Sequence, residues 1–201
     1  MLKYKWQNYA VMLKLNWGKN MNIYIMRHGT TNWNEQGRTQ GRTQNKLSKA
    51  GLELAENQAK QYKDVKFDVI YASPLMRTMQ TARIMNQYHG VPIIKDERIT
   101  EIDQGIFSRR LWRMLTDEEK EMKAKRLVSC KMEPYPDVLK RVKEFLAWLL
   151  ENEKRENVLI VSHNNLCSFM ECVLNGIEPD FDNQVQINSF GNAAVKLFKR
   201  P

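Results

Sequence analysis

Residues 22–34 read Asn-Ile-Tyr-Ile-Met-Arg-His-Gly-Thr-Thr-Asn-Trp-Asn, and the rest of the chain can be arranged around them. The first five are mostly apolar, favour β-structure and carry no charge, which predicts a buried strand. The strand runs directly into Arg27, His28 and Gly29, at the strand end where open α/β sheets bind ligands. Arg27 offers a planar fork for phosphate or carboxylate, and His28 can act as a neutral nucleophile or base near pH 7. A surface arginine beside a buried structural histidine would explain the same residues, so this stretch alone leaves both interpretations open.

Downstream, strand-like and helix-like segments alternate. Three segments have the apolar composition of strands: 67–72, 91–94 and 158–161. One or two further strands are expected in the tail, at 184–199. Helical spacing recurs in five segments: 48–62, 73–87, 111–131, 137–150 and the stretch after 163. Ser48, Ser73 and Asp137 are predicted as caps, and 111–131 is typical of a solvated surface helix. The alternation predicts a three-layer α/β fold with a mainly parallel central sheet.

Length and composition are those of one globular domain. The 201 residues predict a single domain over 21–201 after a basic N-terminal extension at 1–20. No apolar run approaches the roughly 18 residues of a membrane span. The three cysteines form no CxxC pair, which favours reduced thiols and a cytoplasmic location. The net charge of +9 suits an anionic ligand, but no nucleic-acid-binding motif appears, so neither nucleic acid nor a membrane is an expected partner. The oligomeric state is left open.

Two predicted parallel strands each end in a histidine, at His28 and His163. Because the carboxyl ends of parallel strands share one edge of the sheet, these two side chains can meet in space. A third strand leads into a helix that presents Arg77 one turn in, and a later loop supplies Glu101. The topology therefore predicts two histidines, two arginines including Arg27, and one carboxylate at a single rim.

Seven short motifs follow one another between about residues 22 and 197. They are Arg27-His28-Gly29, Asn34, Gly37-Arg38-x-Gln40-Gly41, Leu47-Ser48-x-x-Gly51, Ser73-Pro74-x-x-Arg77-Thr78-x-Gln80-Thr81-Ala82, Glu101-x-x-x-Gly105 and Val161-Ser162-His163. In these motifs and their order the chain resembles the histidine phosphatase superfamily, the phosphoglycerate mutase-like proteins. Chance does not readily produce several independent matches in one order.

The resemblance implies how the chain would bind and attack a phosphate. His28 resembles the family nucleophile, which attacks phosphorus in line and forms a phosphohistidine. Arg27 and Arg77 would hold the phosphoryl oxygens with paired hydrogen bonds, and Asn34 resembles the family's neutral phosphate contact. Removing one such donor typically costs about 100- to 1000-fold in rate. Since cationic side chains would take the place of a metal, neither a metal nor another cofactor is expected.

The remaining catalytic positions are a donor and an acid. His163 resembles the family's further donor to the charge that develops on the phosphoryl oxygens. Glu101 resembles the residue that protonates the leaving alcohol and then activates water, a role that needs a pKa near the working pH. Asp103 is a competing carboxylate on the same loop. The family places the acid four positions before a glycine, here Gly105, which favours Glu101.

Some positions depart from the family pattern without removing a catalytic residue. Thr30 stands where the family usually has Glu, and Asn164 where it usually has Gly. Residues 43–47 lack the usual Asp and Pro, and Ser108 occupies a position where a Gly-containing turn is common. Asn164 matters most, because it follows the second histidine and bears on how closely the backbone can approach phosphate.

Only 62 positions separate Glu101 from His163, which leaves room for a short helical cap insertion at about 106–136. Mutases of the family carry a longer segment there, so the resemblance favours the smaller phosphatase branch. The cap is expected to select the substrate. Four of its residues hint at an anionic or ring-bearing substrate, although an exposed helix face explains them equally well: Arg109, Arg110, Trp112 and Arg113.

The prediction is thus a metal-independent phosphomonoester hydrolase that acts through a phosphohistidine on a small phosphorylated metabolite. Two alternatives stay open. One is phosphoryl transfer of the phosphoglycerate mutase type, and the other is a non-catalytic phosphoester-binding module that has kept the pocket.

Overall fold

A five-stranded sheet forms the centre of the molecule. The computed structural model describes residues 21–177, 179 and 190–199, so the predicted extension at 1–20 and the first part of the predicted tail at 184–199 lie outside the described residues. The strands are β1 (Asn22–Arg27), β2 (Val69–Ala72), β3 (Ile93–Lys95), β4 (Asn157–Ser162) and β5 (Val195–Lys199). Their order is β3-β2-β4-β1-β5, and only β5 runs antiparallel to its neighbour. The mainly parallel sheet predicted from the sequence is confirmed.

Helices cover both faces of this sheet. In the described residues they are α1 (Asn32–Glu35), α2 (Lys49–Gln61), α3 (Met76–Asn86), α4 (Asp117–Ala124), α5 (Tyr135–Asn152) and α6 (Asn164–Leu174). One hydrophobic core joins α5 and α6 to the sheet, and a second joins α2 and α3 to its other face. The three-layer arrangement is therefore confirmed. None of the described helices is both long enough and apolar enough to cross a membrane.

β1 shows why its sequence is an unbroken apolar run. Ile23 and Ile25 face the core of α5 and α6, whereas Tyr24 and Met26 face that of α2 and α3. A strand covered on both faces needs apolar residues at every position. The register with β4 pairs its last residue, Arg27, with the last residue of β4. The two histidines that follow these strands therefore leave the sheet side by side.

Two helices begin elsewhere than predicted. α5 begins at Tyr135, so Asp137 lies in the first turn and is not the cap. The prolines on either side of Tyr135 fit this start, because the first turn needs no intrahelical N–H donors. α3 begins at Met76 rather than at Ser73. The hydroxyl of Ser73 instead lies 2.8 Å from a ring nitrogen of His163.

The prediction of one helix over 111–131 is wrong. This part of the cap consists of 3-10 turns at Trp112–Met114 and Val128–Cys130 on either side of the short α4. α4 begins where the side chains of Thr116 and Glu119 each accept from the other residue's backbone N–H. The apolar residues that fold the cap are spread over several loops rather than along one helix face: Phe107, Leu115, Cys130 and Met132.

Candidate active site

The carboxyl ends of β1, β2 and β4 lie beside a cleft of about 380 Å³. Five of the six predicted site residues line it: Arg27, His28, Asn34, Arg77 and Glu101. Arg27 ends β1, Arg77 is the second residue of α3, and Glu101 comes from the loop after β3. The parallel topology thus brings residues far apart in sequence to one rim, as the sequence predicted.

His28 is held as a neutral imidazole of one tautomer. It is 3% exposed, and its Nδ1 lies 2.6 Å from the carbonyl oxygen of Gly29. Because a carbonyl only accepts, Nδ1 carries the proton and Nε2 keeps a lone pair. This lone pair accepts a hydrogen bond from Nε of Arg77 at 3.2 Å. Burial, followed by the charge of Arg77, lowers the pKa of His28 well below its usual value, so the ring is neutral at pH 7.

The turn that carries His28 packs tightly against the start of α2. A Cβ on Gly29 would lie 2.6 Å from the carbonyl oxygen of Gly51, and a Cβ on Gly51 would lie 1.9 Å from that of Thr30. Ser48 donates its N–H to the Thr30 carbonyl at 2.9 Å, and its Oγ accepts from Gly51. Thr30 thus acts here through its backbone and does not line the cleft. The Thr30 side chain is therefore not part of the cleft wall.

Arg77 holds the loop on the other side of the cleft. Its Nη1 donates to the carbonyl of Thr43 and its Nη2 to that of Gly41, both at 2.8 Å. Since Nε donates to His28, each terminal nitrogen of Arg77 keeps one N–H for a ligand. Burial lowers the pKa of Arg77 to about 10, so the guanidinium stays charged at pH 7.

Arg27 lines the cleft from the end of β1. Its Nη1 donates to the carbonyl of Phe190 at 2.6 Å, while its buried Nε has no hydrogen-bond partner among the described residues. Asn164, where the family usually has glycine, accepts the N–H of Phe190 through Oδ1 at 3.0 Å. The Asn164 side chain therefore binds the same residue, Phe190, whose carbonyl accepts from Arg27.

Asn34 lines the cleft from α1. Its Oδ1 accepts from the backbone N–H of Thr31 at 3.0 Å and from the Thr31 hydroxyl at 2.9 Å. The carbonyl end of this amide is therefore committed to the start of α1. The NH₂ end is the part of Asn34 that a phosphate can use.

His163 lies behind His28 rather than on the cleft wall. It is fully buried, its ring centroid is 5.3 Å from that of His28, and it is not among the residues that line the cleft. Its Nε2 lies 2.8 Å from Oγ of Ser73, and its buried Nδ1 has no partner in the described parts of the chain. Burial, then the charge of Arg77, lowers the pKa of His163 well below its usual value. Its predicted role as a donor to phosphate stays a prediction.

Glu101 and Asp103 point to different places. Glu101 is 8% exposed within the cleft, and its Oε1 accepts from the N–H of Ile102 at 2.9 Å. Burial raises the pKa of Glu101, against the lowering effect of that hydrogen bond and of the nearby arginines. Asp103 accepts from the N–H of Gly105 and lines a separate groove of about 480 Å³. Of the two carboxylates, Glu101 alone has access to the cleft.

The cap wall of the cleft is largely different from the one predicted. Of the four cap residues singled out in the sequence, only Trp112 lines the cleft. Lys123 and Arg126 line it too, together with Arg38 from the opposite loop. Lys123 lies 5.2 Å from the Trp112 ring centroid and 3.0 Å from a threonine hydroxyl, and Arg126 lies over the Tyr135 ring at 4.1 Å. Sequence reasoning missed Lys123 because α4 carries charged residues on several sides, so that no single residue stands out.

Within residues 21–177, 179 and 190–199, no group of three or more His, Cys, Asp or Glu side chains is placed to hold a metal ion. The expectation of a reaction without a metal or cofactor stays a prediction.

Comparisons with known proteins identify the family. The model of the histidine phosphatase superfamily (branch 1) matches residues 23–200. Probable phosphoglycerate mutase GpmB from Enterobacter sp. (strain 638) is 34% identical over 187 residues, 90% of this chain and 87% of that protein. Phosphoserine phosphatase 1 from Hydrogenobacter thermophilus is 32% identical over 166 residues, 78% of this chain and 77% of that protein. The alpha-ribazole phosphatase from Shigella flexneri superposes with a TM-score of 0.77 at 26% identity, over 88% of this chain and 89% of that one.

The family match and the relatives named as phosphatases confirm the predicted enzyme class, a phosphatase of the histidine type. The resemblance inferred from seven short motifs extends over the whole predicted domain. This chain belongs to the histidine phosphatase superfamily.

Proposed function

We propose that this enzyme hydrolyses phosphomonoesters of small metabolites through a phosphohistidine, without a metal ion. The observation that carries the proposal is the state of His28. Its Nδ1 is tied to a carbonyl at 2.6 Å, and its unprotonated Nε2 lies beside Arg77 in the cleft that Glu101 also lines. A neutral imidazole with an oriented lone pair is a nucleophile, and a buried carboxyl with a raised pKa is an acid.

In the first step, Nε2 of His28 attacks phosphorus in line with the ester oxygen. A P–N bond forms as the P–O bond to the alcohol breaks, and the departing oxygen takes the proton of the Glu101 carboxyl. Arg27 and Arg77 donate to the phosphoryl oxygens while charge develops on them.

In the second step, a water molecule replaces the alcohol. Glu101, now a carboxylate, takes one proton from this water as the water oxygen attacks phosphorus. The P–N bond breaks, and its electron pair returns to Nε2 of His28. Inorganic phosphate leaves, and both side chains recover the protonation that they had at the start.

Cleft size and charge support a small anionic substrate. The volume of about 380 Å³ is at the lower end of ligand sites. Cations line the wall beyond the phosphate-binding arginines, at Arg38, Lys123 and Arg126, and Glu101 is the one acidic side chain among the described lining residues. A cleft of one sign of charge raises the local concentration of ligands of the other sign.

Hydrolysis of p-nitrophenyl phosphate in the presence of EDTA tests the proposal. His28→Ala should be slower than wild type by roughly 1000-fold or more, because it removes the nucleophile. His89→Ala is the matched control, since His89 lies against Phe67 and outside the cleft. Wild type quenched during turnover should carry an alkali-stable, acid-labile phosphate that His28→Ala lacks. A wild type no faster than His28→Ala would refute the proposal and favour the phosphoester-binding module.

The mutase alternative is favoured by one observation, the 34% identity to a protein named probable phosphoglycerate mutase. A mutase keeps the phosphoryl group and passes it to a second hydroxyl, and its phosphohistidine is loaded from a bisphosphate. Release of inorganic phosphate from a monophosphorylated acid, at a rate that a bisphosphate primer does not change, supports hydrolysis. Isomerisation that depends on the primer supports the mutase.

A further inference from the structure

Glu101 lies on a loop without regular secondary structure, although proton transfer depends on where its carboxyl points. Residues 101–104 form neither helix nor strand. In the described chain, the one protein donor to the Glu101 carboxylate is the N–H of its neighbour Ile102, at 2.9 Å. Contacts from elsewhere must therefore hold this loop.

Glu133, at the end of the cap, holds the loop on the C-terminal side of Glu101. Its Oε2 accepts from the N–H of Asp103 at 3.3 Å. Its own N–H donates to the carbonyl of Asp103 at 3.1 Å. The Glu133 side chain is 13% exposed and does not line the cleft. It therefore contacts the loop that carries the acid without contacting the space in which a substrate would bind.

Two arginines bind the same carboxylate and reach other parts of the loop. Arg141, from α5, bonds to both oxygens of Glu133 at 2.7 and 3.0 Å, and its Nη1 donates to the carbonyl of Arg98 at 2.7 Å. Arg42 binds Oε2 of Glu133 at 3.1 Å, and its Nε donates to the carbonyl of Glu101 at 3.1 Å. Both sides of Glu101 are thus connected to one partly buried carboxylate.

This network also reaches the phosphate-binding side of the cleft. Arg42 lies between the two residues whose carbonyls accept from Arg77 at 2.8 Å. The carboxylate of Glu133 therefore joins the loop that Arg77 holds to the loop that carries Glu101. Such a connection sets the distance between a bound phosphate and the acid.

We infer that Glu133 is a positioning residue for proton transfer, which binds Arg42 and Arg141 and so fixes the carboxyl of Glu101 against the leaving-group oxygen. The inference rests on the proposed function, in which Glu101 protonates the leaving alcohol. A buried ion pair is by itself a weak argument even for stability. A role in proton transfer, however, affects poor and good leaving groups differently, and a purely structural role does not.

Glu133 also balances positive charge near Glu101. Several elements supply the charged or titratable groups around the Glu101 carboxyl: Arg27 from β1, Arg42 from its loop, Arg77 from α3, Arg141 from α5 and Cys167 from α6. Burial raises the pKa of Glu101, and the arginines of β1, α3 and α5 oppose this rise. Neutralising Glu133 leaves two of these arginines, at 42 and 141, without their anion. Unpaired cations favour the ionised form of a nearby carboxyl.

The dependence of rate on the leaving group tests the inference. The p-nitrophenolate ion leaves without a proton, whereas the alkoxide of glycerol phosphate needs one. We would measure kcat and KM for both esters across pH in wild type, Glu133→Gln and Glu133→Asp. Glu121→Gln is the control, since Glu121 is an exposed carboxylate of the same cap that pairs with Lys125 at 2.5 Å.

In Glu133→Gln, kcat/KM for glycerol phosphate should fall about tenfold or more, because small misplacements of a catalytic group can cost about 100-fold. The kcat/KM for p-nitrophenyl phosphate should stay within about threefold. This ratio reports only the steps up to departure of the leaving group, so the later attack of water, which Glu101 assists for both esters, does not enter it. In the plot of kcat/KM against pH for glycerol phosphate, the fall on the basic side should move to lower pH, because Glu101 then loses its proton more readily. Glu133→Asp keeps the charge and should restore the limb, and Glu121→Gln should match wild type.

The inference would be overturned if Glu133→Gln lost kcat/KM equally for both esters or lost it for neither. It would also be overturned if the basic limb of the pH profile for glycerol phosphate did not move. If Glu133→Gln does not fold, the ratio of the two losses in Glu133→Asp decides in the same way. A wild type no faster than His28→Ala refutes the proposed function instead, so the two failures are distinguishable.

Discussion

Gly51→Ala reverses the usual effect of replacing a helical glycine. In an exposed helix interior, Ala is more favourable than Gly by about 1 kcal/mol. Gly51 lies in the first turn of α2 and is buried. Its missing Cβ would stand 1.9 Å from the carbonyl oxygen of Thr30, and 2.7 and 2.8 Å from two further backbone atoms of that residue. Only backbone is in the way, so no side-chain rotation can relieve the contact.

The cost can be worked out from these distances. Ordinary contact begins at 3.4 Å, so α2 and the turn after β1 must separate by about 1.5 Å. Overpacking of this kind costs about 1–3 kcal/mol. For a chain of this size, each 1 kcal/mol lowers Tm by about 2–4 °C, which predicts a loss of between about 2 and 12 °C. The turn that moves is the one that carries His28, so kcat should fall as well.

Thermal unfolding by circular dichroism and turnover of p-nitrophenyl phosphate measure the two effects. Gly191→Ala is the matched control, because the nearest atom to its added Cβ is a side-chain carbon at 3.8 Å. The control should unfold and turn over like wild type. A Gly51→Ala enzyme with an equal or higher Tm and full activity would show that the close approach of α2 to the His28 turn does not constrain the fold.

Two other variants probe buried groups. His163→Gln should reduce the pH dependence of stability. Burial lowers the pKa of His163 in the folded state, so below about pH 6.5 the unfolded chain takes up a proton that the native state does not. The stability of wild type therefore decreases as the pH is lowered through this range. We would measure the free energy of unfolding by urea between about pH 7 and 5. Its slope against pH should be smaller than in wild type by up to about 1.4 kcal/mol per pH unit. An unchanged slope would contradict the lowered pKa of His163. Leu146→Ala, at a fully buried position of α5, should cost about 2–5 kcal/mol, while the exposed Lys140→Ala should stay within about 0.5 kcal/mol. A loss below about 1 kcal/mol for Leu146→Ala would contradict this packing.

Local patterns predicted the central elements well. β1 and β4 are short apolar runs that end at polar residues. Such runs can be recognised in a sequence because a strand that is buried on both faces needs apolar residues at successive positions. Ser48 was predicted as a cap from its place before a helical pattern, and its hydroxyl accepts the N–H of Gly51. Within the cap, the prediction of one helix over 111–131 is wrong. Its stability comes from a small apolar cluster that includes Phe107 and Cys130, which no single helix face contains.

At the site, too, the sequence predicts some features and not others. Arg27, His28, Arg77 and Glu101 could be selected from the sequence, because parallel strands must deliver their carboxyl ends to one rim. Asn34 could be selected only through the resemblance to the family. The sequence does not show, however, which of the predicted side chains reach the cleft and which lie behind its wall. That His163 lies behind His28 follows from the register of β1 with β4 and from the contact with Ser73.

The amino-acid sequence by itself determined the family, the mainly parallel topology and five of the six predicted residues at the rim, because strand composition and short motifs are local properties of the chain. Only the tertiary structure decided which nitrogen of His28 is unprotonated, since that depends on an oriented carbonyl and on Arg77, which is 49 positions away. It also decided how Glu101 is held, because the network of Glu133 with Arg42 and Arg141 joins the cap, a loop and a helix. Hydrogen-bond direction and charge balance depend on distances of about 3 Å between such segments, and no local pattern encodes those distances.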